Sequence, residues 1–333
     1  MIDSFFKDKR VCITGGAGFI GSAIARRLAN LCEVTIVDSL TPEFGGNLKN
    51  LEEVKSLVKI KIADIRDKTT VEDLVKNTDI IFNMAGQTSH MDSMKEPFID
   101  LEINTHAQLL ILEAMRMYNP KAKIIFASTR QIYGRPNYLP VDENHPISPV
   151  DVNSINKNAG EQYHLLYNDV YGIRSSILRL TNTYGPGMRI KDSRQTFIGI
   201  WIQNMMKNKT LEVWGGDQIR DFNYVDDVVN AFLSVAMSND SDGQIFNLGS
   251  KEFISLYQLA NLLISVNGSG NLEIKDFPKE RKKIDIGNVY SDYSKINNSL
   301  SWEPTVNLET GIKLTLDYYK SHGENYLEEK IIS

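Results

Sequence analysis

The sequence is poor in cysteine, short of positive charge and without a long apolar run, and each shortage excludes something. Among 333 residues there are two cysteines, Cys12 and Cys32. Two thiols cannot build a disulfide framework. They are expected to be small buried hydrophobes in a reducing compartment. Lys and Arg number 37 against 42 Asp and Glu, a net charge of −5, which does not point to a nucleic-acid partner. A phosphorylated ligand must then be held by local basic residues against the global field. No apolar run reaches the roughly 20 residues that a membrane helix needs. Residues 1–10 are polar, with no apolar signal core. A soluble, cytoplasmic protein with no membrane partner is expected. Internal repeats and low-complexity linkers are lacking too, and the Gly/Ser/Asn stretch 267–271 reads as a loop. The 42% of hydrophobic residues suffice for one large or two smaller cores.

What is present is organised around one stretch. Val11-Cys12-Ile13-Thr14 is apolar and β-branched and reads as a buried strand. Gly15-Gly16-Ala17-Gly18-Phe19-Ile20-Gly21 follows at once and fits G-x-G-x-x-G from Gly16 and G-x-x-G-x-x-G from Gly15. A helical pattern comes next. Glycines there let the backbone approach a pyrophosphate, whose charge sits on the helix N-terminus. A second apolar run ends in Asp38, 20 residues past Gly18. A carboxylate at that distance accepts hydrogen bonds from an adenosine ribose and repels a 2′-phosphate, so the cofactor is read as NAD rather than NADP. The expected cofactor contacts here are Gly15, Gly18, Phe19, Ile20, Gly21, Asp38 and Ser39. A strand–helix turn packed with glycines is the plainer alternative. The flanking strand, helix and acid favour dinucleotide binding.

Strand patterns at 11–14, 34–38, 58–62, 80–83, 123–128 and 175–180 alternate with helical ones near 22–30, 71–76, 97–118 and 152–171. This alternation predicts an α/β fold, a Rossmann-like doubly wound parallel sheet with ligands at the carboxyl ends of its strands. After Gly185-Pro186-Gly187 the order changes. The segment 188–195, with Arg189, Lys191 and Arg194, reads either as a solvated loop or as a flap over a phosphorylated ligand. Helices at 196–207, 226–236 and 256–266 and strands at 211–214 and 244–248 follow. The expected division is an NAD-binding domain over 1–182, with segments near 220–250 returning to it. A smaller mixed α/β substrate domain covers 183–333. In the helix 152–171, Val152, Ile155, Ala159, Tyr163, Leu166 and Val170 form an apolar stripe. It must cover the sheet or pair with a second subunit.

Four further stretches carry chemistry: Ala127-Ser128-Thr129-Arg130-Gln131-Ile132-Tyr133-Gly134; Asn153-Ser154-Ile155-Asn156-Lys157; Leu178-Arg179-Leu180-Thr181-Asn182-Thr183-Tyr184-Gly185; and Arg220-Asp221-Phe222-Asn223-Tyr224-Val225-Asp226-Asp227. With these the chain, from 11 to about 304, resembles the extended short-chain dehydrogenase/reductases, specifically the NAD-dependent nucleotide-sugar epimerases and dehydratases. The resemblance implies a Rossmann domain with a substrate domain, a nucleotide-diphosphate sugar as ligand and a homodimer built on the helices 97–118 and 152–171. It also implies supply of an unusual sugar for a bacterial surface polysaccharide. Residue by residue, it places Asp64 and Ile65 beside the adenine and Ala85, Gly86 and Gln87 beneath the cofactor, with Asn104 near that loop. Asn182, Arg220 and Arg281 fall at the substrate diphosphate, where guanidinium forks suit phosphate oxygens. Thr129 and Lys157 match the family's hydroxyl residue and lysine.

The chain departs from the family twice. Where Tyr-x-x-x-Lys has its tyrosine, this sequence has Asn153, and no tyrosine lies between Tyr138 and Tyr163. An amide cannot act as a general base, though it can orient a hydroxyl or a water. The proton must go to another group: Lys157, if desolvation lowers its pKa, a water chain, His90 or His145. Arg130 and Gln131 stand where the family's dehydratases place Asp-Glu, and neither is a carboxylic acid. A 4,6-dehydration is therefore not expected. The reading is an epimerase of the 2- or 4-epimerase type acting by transient oxidation, with Lys157, Thr129 and Asn153 at the reacting end. A ketoreductase or 4-dehydrogenase of the same family, or a binding protein with degraded catalysis, are the alternatives.

Overall fold

A computed structural model describes residues 2–327; the extreme ends of the two expected domains lie outside the described residues. Among the described residues twelve strands occur in chain order. The first six are β1 (Arg10–Thr14), β2 (Glu33–Asp38), β3 (Lys59–Ile62), β4 (Ile80–Asn83), β5 (Lys123–Thr129) and β6 (Arg174–Leu180). The second six are β7 (Asn182–Tyr184), β8 (Leu211–Trp214), β9 (Ile219–Tyr224), β10 (Ile245–Asn247), β11 (Phe253–Ser255) and β12 (Leu272–Lys275). Seven form one sheet in the order β10-β6-β5-β4-β1-β2-β3, and every pairing in it is parallel. The order reverses at β1 and β4, which is where a doubly wound sheet opens a crevice. A smaller mixed sheet, β11-β9-β7, and the parallel pair β12-β8 complete the strands.

The alternation of side chains along the strands builds two cores. Val11, Ile13, Ile80, Phe82 and Ile125 pack into one, with Ile24 and Leu28 of the helix Phe19–Leu28 and Phe232 of the helix Val225–Met237. Cys12, Ile81 and Ile124 point the other way and meet Val71, Leu74, Ile111, Leu112 and Met115 from the helices Lys68–Lys76 and Ala107–Tyr118. Burial pushes the Cys12 thiol up to about 12 and the Cys32 thiol to about 11, so neither is a thiolate near neutrality. No helix among the described residues is long and apolar enough to cross a membrane.

The expected elements of the first half are present, with ends moved by a residue or so at the strands. The first helix starts at Phe19, three residues before the expected 22, because the glycine turn runs directly into it. The expected helix 97–118 is interrupted. It runs Pro97–Leu101, then a π turn Glu102–His106, then Ala107–Tyr118. Such turns gather at functional sites, and this one contains Asn104. The apolar stripe of the helix Val152–Tyr171 does not cover the sheet. Ile155, Leu166 and Val170 are 54%, 50% and 56% exposed. The buried face is instead polar: Asn153, Asn156, Lys157, Glu161 and His164. The Glu161 charge on that face is paired, with Arg179 of β6 at 2.7 Å between two buried side chains.

Candidate active site

The carboxyl ends of β1, β2, β4, β5 and β6 open into a single cavity of about 830 Å³. One end is formed by the glycine turn. Gly15 adopts φ +64°, and a Cβ there would lie 2.8 Å from the backbone of Ala85, so the turn and the loop after β4 touch only through glycine. Gly18 caps the helix Phe19–Leu28 without a side-chain hydrogen bond, which leaves the first-turn N–H groups facing the cavity without a protein side chain on them. Asp38 ends β2 on the cavity wall. Its Oδ2 accepts the Ala17 N–H at 3.0 Å and its Oδ1 the Leu40 N–H at 2.9 Å. Burial pushes this carboxyl up from its ordinary value, and the N–H groups of Leu40, Ala17 and Gly18 oppose that. Ser39, Asp64 and Ile65 line the same end.

The other end is built by β5, β6 and the buried face of the helix Val152–Tyr171. Lys157 Nζ donates to the Ala127 carbonyl at 3.0 Å and lies 4.8 Å from the centre of the Phe126 ring. Burial drives its pKa down from 10.5 to about 8, while Asp100 and Glu161 pull the other way. Thr129, the last residue of β5, and Asn153 line the cavity nearby. Asn153 Nδ2 is tied to the Gln87 carbonyl at 2.8 Å and to Asp100 Oδ2 at 2.9 Å, which leaves Oδ1 as its group for a ligand. Gly86 sits against this end: a Cβ there would come 2.9 Å from Lys157 Nζ and 3.0 Å from Asn104 Oδ1.

Eighteen of the nineteen residues expected to contact ligands border this one cavity, and Asn104 is the exception. It is fully buried behind the loop, donating to the Gln87 carbonyl at 3.0 Å, while its Oδ1 has no hydrogen-bond partner. Asn182 Nδ2 is held by the Asp221 carbonyl at 3.0 Å. Arg220 spans to Asp285, 3.3 Å away, and burial and Arg130 lower its pKa to about 10. Arg281 stacks on Trp214 at 4.5 Å and reaches Ser193 Oγ at 3.3 Å. In the segment 188–195, Arg189 turns inward to Asp192 and the Pro42 carbonyl, whereas Arg194 pairs at 3.1 Å with Asp92 of the helix His90–Lys95. Asp192, Ser193, Arg194 and Gln195 border the cavity.

The two candidate histidines separate. His145 is buried away from the cavity, its Nε2 accepting the Asn137 N–H at 2.8 Å and its Nδ1 facing the Pro146 carbonyl at 2.8 Å. It has no nitrogen to spare for a substrate. His90 lines the cavity, with Nδ1 3.0 Å from Asp151 Oδ2. Arg130 is buried, paired with Asp221 at 3.0 Å and with Thr181. Sequence reasoning missed Phe44, Gly46, Trp214 and Phe277 of the lining. No local motif marks them, since they come from loops and strand ends far apart in the chain.

The cradle fits an adenine dinucleotide: an uncapped helix start, a turn with no room for side chains, a carboxylate at the second strand and a buried ammonium beyond. The NAD dependent epimerase/dehydratase family matches residues 11–249, and the chain belongs to that family. It is 38% identical over 318 residues, covering 94% of this chain and 99% of the other, to a protein of Methanocaldococcus jannaschii provisionally named a UDP-glucose 4-epimerase. Among solved structures it resembles UDP-glucose 4-epimerase of Thermotoga maritima with UDP-glucose at a TM-score of 0.85. That pair is 30% identical and covers 94% and 99% of the two chains. It also resembles the Thermus thermophilus UDP-glucose 4-epimerase complex with NAD at a TM-score of 0.83, 28% identical over 93% and 99%. The protein is thus an NAD-dependent member of the nucleotide-sugar epimerases and dehydratases.

Proposed function

We propose that the protein is a nucleotide-sugar epimerase of the 2- or 4-epimerase type, acting by transient oxidation of a ring carbon. The observation that carries this is the convergence, in one cavity, of Asp38 at one end with Lys157, Thr129 and Asn153 at the other. NAD supplies the hydride acceptor and, on the return, the hydride donor. The turn at Gly15, Gly18 and Gly21, with Phe19, Ile20, Asp38, Ser39, Asp64, Ile65, Ala85, Gly86 and Gln87, holds it. Lys157 bonds its nicotinamide ribose, and Asn104 steadies the loop beneath. Thr129 bonds the reacting hydroxyl and Asn153 Oδ1 orients it. Asn182, Arg220 and Arg281 face the nucleotide diphosphate. Residues to 182, with segments near 220–250 returning to them, form the NAD domain, and the rest from 183 is mainly the sugar-nucleotide domain.

A second copy of the chain covers the exposed stripe. Ile155, Leu166 and Val170 on one helix and Phe98 and Leu101 on its neighbour leave apolar side chains in water. A homodimer through these two helices buries them.

A ketoreductase or 4-dehydrogenase of the same family is the second reading, and Asn153 in place of the tyrosine supports a third, a binding protein without turnover. Incubation of the purified protein with UDP-glucose and other nucleotide sugars, followed by sugar NMR and nicotinamide absorbance, decides. A new epimer without steady NADH supports epimerisation. A keto sugar with stoichiometric NADH supports net oxidation, and tight binding with neither supports the last.

A further inference from the structure

We infer that His90 is the catalytic base of this site, held in place by Asp151, and that this pair takes over the proton handling for which Asn153 is unfit. The inference rests on the oxidation proposed above. The sequence sets the two residues 61 positions apart, and only the fold joins them.

Asp151 is the N-cap of the helix that carries Asn153 and Lys157. Its side chain is entirely buried. Oδ1 accepts the Ser154 N–H at 2.8 Å and its hydroxyl at 2.6 Å. Oδ2 lies 3.0 Å from His90 Nδ1, an ion-pair distance at which the ring N–H is not yet aligned for a hydrogen bond and a small turn of the imidazole makes one; Oδ2 also accepts from Gln131 Nε2 at 3.3 Å. Gln131 follows Thr129 by two residues, so the pair is joined to both sides of the reacting end. Burial works against the Asp151 carboxylate, yet His90 and Ser154 hold its pKa down, at about 2.

A carboxylate facing Nδ1 fixes an imidazole as the Nδ1–H tautomer and leaves Nε2 as the proton acceptor. His90 Nε2 has no hydrogen-bond partner among the described residues, and the ring is about one-third exposed, on the cavity wall. The competing groups are engaged. The Tyr133 hydroxyl donates to Asn247 at 2.7 Å, and burial raises it to about 12. His164 is buried beneath Phe126, and its pKa falls to about 3. Lys157 is turned to the Ala127 carbonyl.

In the oxidative half the sugar O–H bond breaks and its proton passes to His90 Nε2. The C–H electron pair leaves as hydride for the nicotinamide dinucleotide, and a ketone remains. The return half reverses both transfers, with Nε2 giving its proton to the carbonyl oxygen as hydride returns to carbon.

The test uses the full chain labelled with ¹⁵N-histidine, together with His90→Gln and Asp151→Asn; the latter keeps an efficient N-cap. His90 resonances are assigned by their loss in His90→Gln. The expected results are an Nδ1–H tautomer for His90 that Asp151→Asn disturbs, and turnover lower by about 10²-fold or more in His90→Gln with NAD affinity kept within about twofold. Asp151→Asn should lose about tenfold or more through that same change of tautomer. An Nε2–H tautomer in the unaltered protein, or turnover in His90→Gln within about threefold of it, overturns the inference. Should the unaltered protein interconvert no nucleotide sugar, the proposed function fails by itself, and the tautomer still decides whether the pair is built as inferred.

Discussion

Asn153 Nδ2 donates to Asp100 Oδ2 at 2.9 Å, and both side chains are buried. The other carboxylate oxygen of Asp100 accepts from Asn156 Nδ2 at 2.8 Å. Two amides of one helix thus hold a buried negative charge on the neighbouring helix, with Lys157 one turn further on. The residue that replaces the family's tyrosine is therefore a structural donor as well as part of the cavity lining. Asn153→Ala takes one donor from a buried carboxylate, a loss of about 1–3 kcal/mol. Asn153→Tyr removes the same donor and must also place a ring beside Ser93 and Gln87. Both variants should unfold at lower urea than the unaltered chain, read by circular dichroism. An unmoved midpoint in Asn153→Ala would mean that Asp100 is satisfied without it.

Lys157 makes stability depend on pH in a definite direction. An unfolded lysine holds its proton to 10.5, whereas this buried one loses it at about 8. Below pH 8 both states are protonated and the full penalty of the buried ammonium is present. Between pH 8 and 10.5 the unfolded chain binds more protons, so stability rises with pH. The difference corresponds to about 3 kcal/mol, at about 1.4 kcal/mol per tenfold in proton affinity. Cofactor-free protein should therefore gain on Lys157→Met as the pH is raised through this window, measured by urea unfolding at each pH. Parallel curves would show that the ammonium is not desolvated. With NAD and substrate present, the same variant should lose all measurable turnover.

The parallel sheet and the glycine turn were readable because each is local. A β-branched run, a turn without side chains and an acid at a fixed distance state their own geometry. The same holds for Thr129 and Lys157, recognised within single short stretches. What escaped was written in residues that contradict their surroundings. β9 reads Ile-Arg-Asp-Phe-Asn-Tyr and was not foreseen as a strand, because Arg220, Asp221 and Asn223 are buried only through partners elsewhere in the chain. The helix Val152–Tyr171 shows its apolar stripe to water and its polar face to the sheet, the inverse of what periodicity implies for a monomer. His90 and Asp151 are ordinary residues until the fold sets them together.

Asp38 should decide between the two dinucleotides. On the proposed reading a ribose hydroxyl reaches its carboxylate, and a 2′-phosphate would meet negative charge there. Asp38→Ser removes the charge and also weakens the anchoring of Ala17 and Leu40, whose N–H groups it accepts. Hydrogen bonds to charged groups are worth about 1.5–3 kcal/mol, so NAD affinity should fall by about tenfold or more. NADP affinity should rise or stay level, and the ratio of the two dissociation constants, by calorimetry, is the quantity to follow. An unchanged ratio would remove Asp38 from cofactor selection.

The exposed stripe gives the last prediction. Ile155 is 54% exposed and lies two residues before Lys157, on the opposite face of the helix, so a change there leaves the cavity lining untouched. In an isolated chain Ile155→Glu replaces an apolar side chain in water by a charged one, and its effect on folding should stay within about 0.5 kcal/mol. In a dimer the same glutamate meets apolar side chains of the second copy and must be desolvated without a partner, which is far more costly. Sedimentation should therefore show a dimer for the unaltered chain and predominantly monomer for Ile155→Glu. A Val170→Glu substitution on the same stripe should do the same, since Val170 is 56% exposed. If both variants sediment as the unaltered chain does, the two helices are not the contact between copies, and the stripe must be covered by something else.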